Sequence, residues 1–353
     1  MVFKLTVQAK AIIPVLCLVM ASLSGCISAD NGNDGENTTI KIAFSVQDDY
    51  DNIDSNPLIL ADYLSEELGM DVEIYPITSD GAAIEALRFG NAHFAFLDGG
   101  SGWVGWQQYD LQVAAADVKS DGRTYYEAHA WVLNNSDIAD ALFDDNDSTD
   151  PFELLEGRTS CHTGWLKSAG MLMPMGYLIG NGYAEVVGDN TTVESLRDTI
   201  YGFFNENASI PESGTPYYGY SGAMKCLSEE YGEVAFAKDS TVESSCGSEV
   251  ESENQEWCLE MDRYVRLPAF GQSPSHPMMY NPDFTNDETL NQFVAVLENM
   301  SNSNEGQEIL QNILNTDSIQ GADTESHLGI YGNLIQNVPG ITSYYGQKYS
   351  ISL

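Results

Sequence analysis

A segment near the middle of the chain combines residues that could hold a small anion. Residues 160–170 (SCHTGWLKSAG) lead into an apolar stretch, and the pattern predicts a helix that begins near Ser168. The first N–H groups of a helix have no partner within the helix, and the helix dipole places positive charge at the same end. A helix N-terminus of this kind suits a small oxyanion.

A second candidate residue follows a predicted strand. Residues 92–97 (AHFAFL) are mostly apolar and predict a buried strand, after which come Asp98, Gly99 and Gly100. In open α/β sheets, ligands bind beyond the carboxyl ends of the strands. We therefore expect Asp98 to lie at the mouth of a cleft.

The elements around these residues alternate between strand and helix. Predicted strands and helices follow one another at 40–46, 56–69, 71–76, 79–90 and 92–97. This order predicts parallel pairing with helices on the faces of the sheet. Further strands are expected at 111–116 and at 125–133, the second of which is long enough to run between two lobes. A second α/β unit begins near residue 156, and the helices predicted in 283–314 should return to the first lobe.

Four stretches of the chain together resemble one lobe of a transferrin. They are FLDGG (96–100), TYY (124–126), SCHT…SAG…PMG (160–176) and YGYSGA-x-KCL…VAF-x-K-x-ST (218–241). The resemblance is strong over 125–276 and fainter elsewhere. It implies an α/β, two-lobed fold of the periplasmic-binding-protein type, with a cleft and two hinge crossover strands.

The resemblance also implies a metal site. In the family, two tyrosinates, a histidine and an aspartate bind ferric iron, and these positions match Tyr125, Tyr220, His276 and Asp98. Ferric iron favours anionic oxygen ligands and accepts imidazole, and binding to tyrosine must release protons. Asp98 would bind only when the lobes close. Tyr126 is a rival of Tyr125 for the same role.

The family binds carbonate together with the iron, on the N-terminus of a helix. The matching residues are Thr163, Lys167, Ala169 and Gly170. Lys167 stands where the family has arginine. Lysine keeps the positive charge but loses the planar, two-pronged fork, so we expect the affinity for the anion, or the choice of anion, to differ.

The cysteines predict an exported, disulfide-bonded protein. Cys161, Cys226, Cys246 and Cys258 remain after the N-terminal segment, and an even number suggests two disulfides with three pairings open. The transferrin resemblance implies the pair Cys161–Cys226. Cys246 and Cys258 would then close a small loop.

The N-terminal segment predicts export and a lipid anchor. Residues 1–26 resemble a lipoprotein signal peptide that ends at a lipobox cysteine, Cys26; an ordinary secretory signal is the alternative. Residues 27–39 predict a flexible tether, because after the single Ile27 all are small, polar or acidic. We expect a first lobe formed by 40–124 with 277–353 and a second lobe formed by 125–276.

The charge of the chain excludes one class of partner. There are 14 Lys and Arg against 53 Asp and Glu, a formal net charge of −39. So few basic residues could not neutralise a nucleic-acid backbone. The acidic surface fits either adaptation to salty water or attraction of cations, and the charge alone does not decide between them.

These observations favour a solute-binding protein over an enzyme, because no acid–base or nucleophile constellation stands out. The leading hypothesis is a lipid-anchored, monomeric surface protein that captures ferric iron with carbonate for a membrane importer of the ABC type. The alternative is a metal-free binding protein for an oxyanion, phosphate or phosphonate, that uses the same helix N-terminus.

Overall fold

A computed structural model describes residues 39–45, 56–144 and 149–351. The predicted signal peptide, the lipobox cysteine Cys26 and nearly all of the predicted tether lie outside these residues. Within the described ranges, no helix has both the length and the apolar character needed to cross a membrane.

Eleven strands are found in the described residues. They are β1 (Ile40–Ser45), β2 (Val72–Ile77), β3 (Phe94–Phe96), β4 (Gln112–Val118), β5 (Tyr125–Leu133), β6 (Ser160–Cys161), β7 (Val234–Lys238), β8 (Tyr264–Arg266), β9 (Gly271–Pro274), β10 (Pro277–Tyr280) and β11 (Ser318–Gly321).

Twelve α-helices accompany these strands in the same described ranges. They are α1 (Pro57–Leu68), α2 (Asp80–Arg88), α3 (Gly99–Tyr109), α4 (Asp137–Leu142), α5 (Met173–Gly180), α6 (Ser195–Phe203), α7 (Gly219–Ser228), α8 (Thr241–Cys246), α9 (Asp287–Met300), α10 (Asn304–Ile309), α11 (Thr324–Ile335) and α12 (Ile341–Lys348). Two π-helical turns adjoin them, Ser168–Leu172 before α5 and Leu310–Leu314 after α10.

The strands form two sheets. The first sheet has the order β11-β4-β10-β3-β1-β2, and the second has the order β6-β7-β5-β8 with β9 also paired to β5. β1 pairs in parallel with both β2 and β3, which confirms the parallel arrangement predicted for the first strands. Both sheets are mixed, because β10 and β11 enter the first sheet antiparallel and β5 is antiparallel to its neighbours. The mixed α/β architecture with two sheets confirms the predicted fold class; the lobe boundaries stay a prediction.

Local sequence signals explain where the first helix begins and ends. The Asn56 side chain accepts a hydrogen bond from the N–H of Leu58, and Pro57 occupies the first turn, where its missing N–H costs nothing. Gly69 ends the helix with φ of 65°, a left-handed conformation that glycine adopts without strain. The helix buries Leu60 and Leu64 against the first sheet.

Both sheets are covered by apolar side chains. On one face of the first sheet, Phe94 of β3 stacks on Phe293 of α9 with ring centroids 4.1 Å apart, and both rings are fully buried. Removing either ring should cost about 3–5 kcal/mol of stability. Two disulfides are present, Cys161–Cys226, which joins β6 of the second sheet to α7, and Cys246–Cys258, the pairing that the transferrin resemblance implied.

Candidate ligand-binding site

A cavity of about 390 Å³, here called the central cavity, lies between the start of α3, the turn before α5 and the C-terminal helices. Three lysines line it, Lys119, Lys167 and Lys348. Asp98 is the one carboxylate among its lining residues in the described part of the chain. Positive side chains therefore outnumber negative ones among the lining residues, inside a protein whose net charge is −39.

The helix predicted at Ser168 begins at the wall of this cavity. The chain enters a π-helical turn at Ser168 and continues without a break into α5. Lys167, the residue before the first turn, makes no side-chain cap. The first N–H groups of the helix are thus left for a ligand or for water, with the positive end of the dipole behind them.

The start of this helix packs on two buried residues, Thr163 and His162, and Gly170 is the helix residue that contacts both. The Thr163 hydroxyl is buried and has no hydrogen-bond partner among the described residues. It packs so closely on Gly170 that a Cβ there would lie 2.6 Å from the Cβ of Thr163, so only glycine fits. His162 Nδ1 lies 2.9 Å from the carbonyl oxygen of Gly170, to which it donates. Burial lowers the pKa of His162 to about 4, so this imidazole stays neutral and adds no charge.

The start of α3 lies at the same cavity and is occupied by Asp98. Its Oδ1 accepts a hydrogen bond of 2.6 Å from the N–H of Ser101, which makes Asp98 the N-cap of the helix. Lys348 Nζ lies 3.6 Å from Oδ2, and the Tyr349 hydroxyl donates to the carboxylate at 3.0 Å. Burial opposes ionisation of Asp98, but Lys348 and the hydrogen bonds from Ser101 and Tyr349 outweigh it and lower the pKa.

A second carboxylate lies behind the cavity, between His276 and Lys119. Lys119 Nζ is 2.8 Å from Asp117 Oδ2, and His276 Nδ1 is 3.6 Å from the same oxygen. Burial would raise the pKa of Asp117, but the neighbouring His276 and the hydrogen bond from Lys119 lower it well below its usual value. The charge of Lys119 is therefore partly balanced, whereas Lys167 has no carboxylate within ion-pair distance in the described residues.

The predicted tyrosines occupy less central positions. Tyr125 lies against Arg123, whose guanidinium is 5.3 Å from the ring centroid, while its neighbour Tyr126 lines the central cavity. Successive side chains of a strand point to opposite faces, so a shift of one residue along the strand decides which tyrosine faces the cavity. Tyr220 lies beside Tyr126, and burial together with Tyr126 raises the pKa of Tyr220.

The predicted site residues are therefore only partly brought together. Asp98, His276 and Lys167 line the central cavity, and Thr163, Ala169 and Gly170 form the buried floor under the helix start at its wall. Tyr125 and Tyr220 are not among the lining residues.

The C-terminal helices also contribute to the cavity, and this contribution was not predicted. Tyr331 of α11, Tyr344 and Lys348 of α12 and the following Tyr349 line the cavity, as does Lys119 after β4. One signal was present in the sequence. Lys348 is the single Lys or Arg after Arg266, in a segment with several tyrosines.

Curated proteins with similar sequences are transferrins. The serotransferrin of Gadus morhua is 31% identical over 184 residues, which cover 46% of this chain and 26% of that protein. The lactotransferrin of Camelus dromedarius is 31% identical over 234 residues, which cover 57% of this chain and 31% of that protein. The chain thus spans about a quarter to a third of the length of these relatives.

Among solved structures, PhnD1 from Prochlorococcus marinus, in complex with methylphosphonate, matches 89% of this chain and 99% of that chain. The sequence identity is 14% and the TM-score is 0.44.

The prediction of ferric iron and carbonate as cargo, and with it the description of the protein as iron-binding and metal-binding, is wrong. A family model for the phosphonate periplasmic substrate-binding protein of an ABC transporter matches residues 42–328. In the described ranges, no group of three or more His, Cys, Asp or Glu is placed to hold a metal ion. The geometry gives a physical reason, because only Asp98 and His276 of the four predicted ligands line the cavity.

The family model spans most of the described chain, across both sheets and the buried residues under the helix start at the cavity wall. Its proteins bind a substrate for a transporter and are not a family of enzymes. The chain therefore belongs to the family of periplasmic substrate-binding proteins of phosphonate ABC transporters.

Proposed function

We propose that this protein binds a small oxyanion of the phosphonate or phosphate type and delivers it to a membrane importer of the ABC type. One observation carries the proposal. Three of the chain's 14 Lys and Arg side chains line one cavity, which has a single lining carboxylate, although the chain has 53 Asp and Glu. Placing scarce cations together in this way favours an anionic ligand.

The start of the helix at Ser168 would hold the oxygens of the anion. Its first N–H groups are uncapped by any side chain, and the Thr163 hydroxyl beneath them lacks a partner among the described residues. A ligand oxygen would satisfy these donors, and Lys167 would add a charge-assisted bond from the rim. The phenol of Tyr331, whose pKa burial raises to about 12, stays protonated and can donate as a neutral group.

Lysine at position 167 suits a tetrahedral anion. The planar fork of arginine matches planar groups such as a carboxylate or carbonate with two parallel hydrogen bonds. An ammonium group is a point charge with three rotatable donors and has no preference for a planar partner. We therefore propose that the likeness to transferrins marks a shared anion-binding helix and hinge, used here without iron.

Closure of two lobes would complete the site. We propose the predicted lobes, 40–124 with 277–353 and 125–276, as the two bodies, since the first sheet is built from strands of the former and the second sheet from strands of the latter. β5 and β9, which pair antiparallel with Tyr125 opposite Pro274, are the proposed hinge strands.

The proposal also includes attachment to the outer, extracellular or periplasmic, face of the membrane through Cys26, with the protein acting as a monomer. Mass spectrometry of the exported protein should show an N-terminal acylated cysteine. An N-terminus that retains residues before Cys26, or an unmodified thiol, would contradict the anchor.

Isothermal titration calorimetry with methylphosphonate and with inorganic phosphate tests the proposed cargo. The wild-type chain should bind at least one of them saturably, and Lys167→Gln should weaken that binding about tenfold because a charged donor is lost. Lys225→Gln is the matched control, since Lys225 pairs with Glu229 on the surface, 2.6 Å away, outside the cavity. Absence of binding to both probes, or equal affinity for Lys167→Gln and wild type, contradicts the proposal.

A further inference from the structure

The C-terminal segment builds one wall of the central cavity. Tyr331, Tyr344, Tyr345, Lys348 and Tyr349 all line it, and all lie beyond residue 328, where the match to the family model ends. The wall they form is therefore outside the part of the chain that the family pattern describes.

Two residues of this segment contact Asp98. Lys348 Nζ lies 3.6 Å from Asp98 Oδ2, and the Tyr349 hydroxyl lies 3.0 and 3.2 Å from Oδ1 and Oδ2. Lys348 also donates to the Tyr349 oxygen at 2.9 Å, so the ammonium, the phenol and the carboxylate form one connected group. Asp98 is thus held from three sides, by Ser101, Tyr349 and Lys348.

A carboxylate at this position is a problem for an anion site. Asp98 is needed as the N-cap of α3, yet it faces the cavity in which we propose that an oxyanion binds. Like charges a few ångströms apart repel each other, and they do so more strongly where water is partly excluded. Asp80, next to Asp98, adds a further acidic group, and burial followed by the charge of Asp98 raises the pKa of Asp80.

We propose that Lys348, supported by Tyr349, neutralises Asp98 so that the cavity accepts an oxyanion. Lys348 is in this role a positioning residue, which acts on the ligand through the carboxylate that it pairs with. The inference rests on the proposed function, because it concerns how the same cavity tolerates the same ligand. In this proposal the C-terminal segment supplies the positive charge that balances Asp98.

The surrounding packing holds the backbone that carries Lys348 in place, while the Lys348 side chain itself is 42% exposed. α12 begins after Gly340, whose φ of 62° is left-handed, and packs against α3. Tyr345 and Tyr349 are about 95% buried, with ring centroids 5.6 Å apart. The Tyr345 hydroxyl lies 3.0 Å from that of Tyr331, which in turn lies 3.2 Å from Ser168 Oγ. A continuous set of contacts therefore joins the segment of Lys348 to the helix proposed to hold the anion.

A double-mutant cycle tests the inference. The affinity for methylphosphonate and for inorganic phosphate is measured by calorimetry for wild type, Lys348→Met, Asp98→Asn and the double variant. Lys348→Met should weaken binding at least about tenfold, because it leaves Asp98 unbalanced. In the Asp98→Asn background the same change should alter affinity less than about threefold, because there is no charge left to balance. Asparagine remains a good N-cap, so α3 keeps its start.

Three further variants complete the design. Lys348→Arg keeps the charge and should retain wild-type affinity within about threefold, and Tyr349→Phe should cost only about threefold. Lys225→Met, on the surface, controls for the loss of one positive charge from the whole protein. Thermal unfolding of each variant shows whether the folded state is intact.

The outcomes separate the two proposals. If wild type binds and Lys348→Met binds equally well, the inference is overturned while the proposed function stands. If Lys348→Met weakens binding by the same factor with and without Asp98→Asn, Lys348 acts directly on the ligand and the neutralising role is overturned. If wild type binds neither probe, the proposed function itself is contradicted.

Discussion

Two helices begin at the central cavity. A side chain caps the free N–H groups of one helix, whereas the residue before the other helix provides no cap. At α3, the Asp98 carboxylate accepts from the N–H of Ser101 at 2.6 Å and closes the helix end with a negative charge of the protein's own. At the helix that starts with Ser168, the preceding Lys167 provides no cap and a positive charge.

The difference shows which helix end is available to an anion. A ligand at α3 would have to displace a capping carboxylate that Tyr349 and Lys348 also hold. A ligand at Ser168 has no capping side chain to displace, and its negative charge is attracted by the positive end of the dipole and by Lys167. An N-terminus is thus a binding site only where the chain has left its donors uncapped.

The largest expected effect comes from Gly170→Ala, which adds a methyl group between the uncapped helix start and Thr163. The new methyl group would lie 2.6 Å from the Cβ of Thr163, so the helix start must move. Overpacking of this kind costs about 1–3 kcal/mol in the free energy of unfolding. Affinity for methylphosphonate should fall about tenfold or more, since the N–H groups shift with the helix. Urea denaturation and calorimetry measure the two effects.

Gly105→Ala in α3 is the matched control. Its Cβ would lie 3.1 Å from Leu111 Cδ1, the end of a flexible side chain that can give way. Alanine also has the better helix propensity, so stability should change little or rise. If Gly170→Ala binds the anion as wild type does, the uncapped helix start is not the site.

A smaller effect is expected from Thr163→Val, and it should move stability and affinity in opposite directions. The buried Thr163 hydroxyl has no partner among the described residues, and an unpaired buried polar group costs about 1–3 kcal/mol. Valine should therefore stabilise the unliganded protein by about 1 kcal/mol. Affinity for methylphosphonate should fall about tenfold, because the hydroxyl's proposed partner is the ligand.

Thr199→Val shows what the same change does to a hydroxyl with partners. Thr199 is fully buried, accepts from the N–H of Val187 at 3.0 Å and donates to the carbonyl of Ser195 at 2.8 Å. Its replacement should cost about 1–3 kcal/mol of stability. If Thr163→Val is destabilising to the same degree, its hydroxyl has a structural partner and is not reserved for a ligand.

Local patterns in the sequence were enough to predict the frame of the site. The alternation of strands and helices located β1 to β3 and the strand end that carries Asp98, and the switch to an apolar run located the helix at Ser168. These features depend on residues close together in the chain, for which periodicity and helix-end signals are informative.

The remainder of the site depends on which side chains meet in space. Tyr126, not Tyr125, lines the cavity, and a one-residue choice in a strand cannot be made without knowing the register, here Tyr126 opposite Ser273. Lys348 and Asp98 lie 250 positions apart, and no local pattern connects them. The predicted cargo was wrong for a related reason: a motif shared with a family identifies the elements around a site, whereas the cargo depends on which side chains line it.

The smallest expected effect is the pH dependence of stability that His276 causes at the α3 side of the cavity. The uncapped helix start adds no such dependence, because backbone N–H groups do not titrate. His276 Nδ1 lies 3.6 Å from Asp117 Oδ2, and the attraction of this carboxylate is the main reason that the pKa of His276 is raised. A raised folded-state pKa gives stability that is complete below the unfolded value of about 6.5 and is lost as pH rises through the folded value.

Unfolding of wild type and His276→Gln should therefore differ most at about pH 5.5 and agree by about pH 8.5. The difference should not exceed about 0.5 kcal/mol, because the His276 side chain is 66% exposed and solvent screens the pair. A gap that widens as pH rises would mean that His276 stabilises the fold as a neutral group. The α3 side of the cavity would then lack the pH dependence expected from the pair of His276 and Asp117. The two helix starts would differ only in whether a side chain caps their N–H groups.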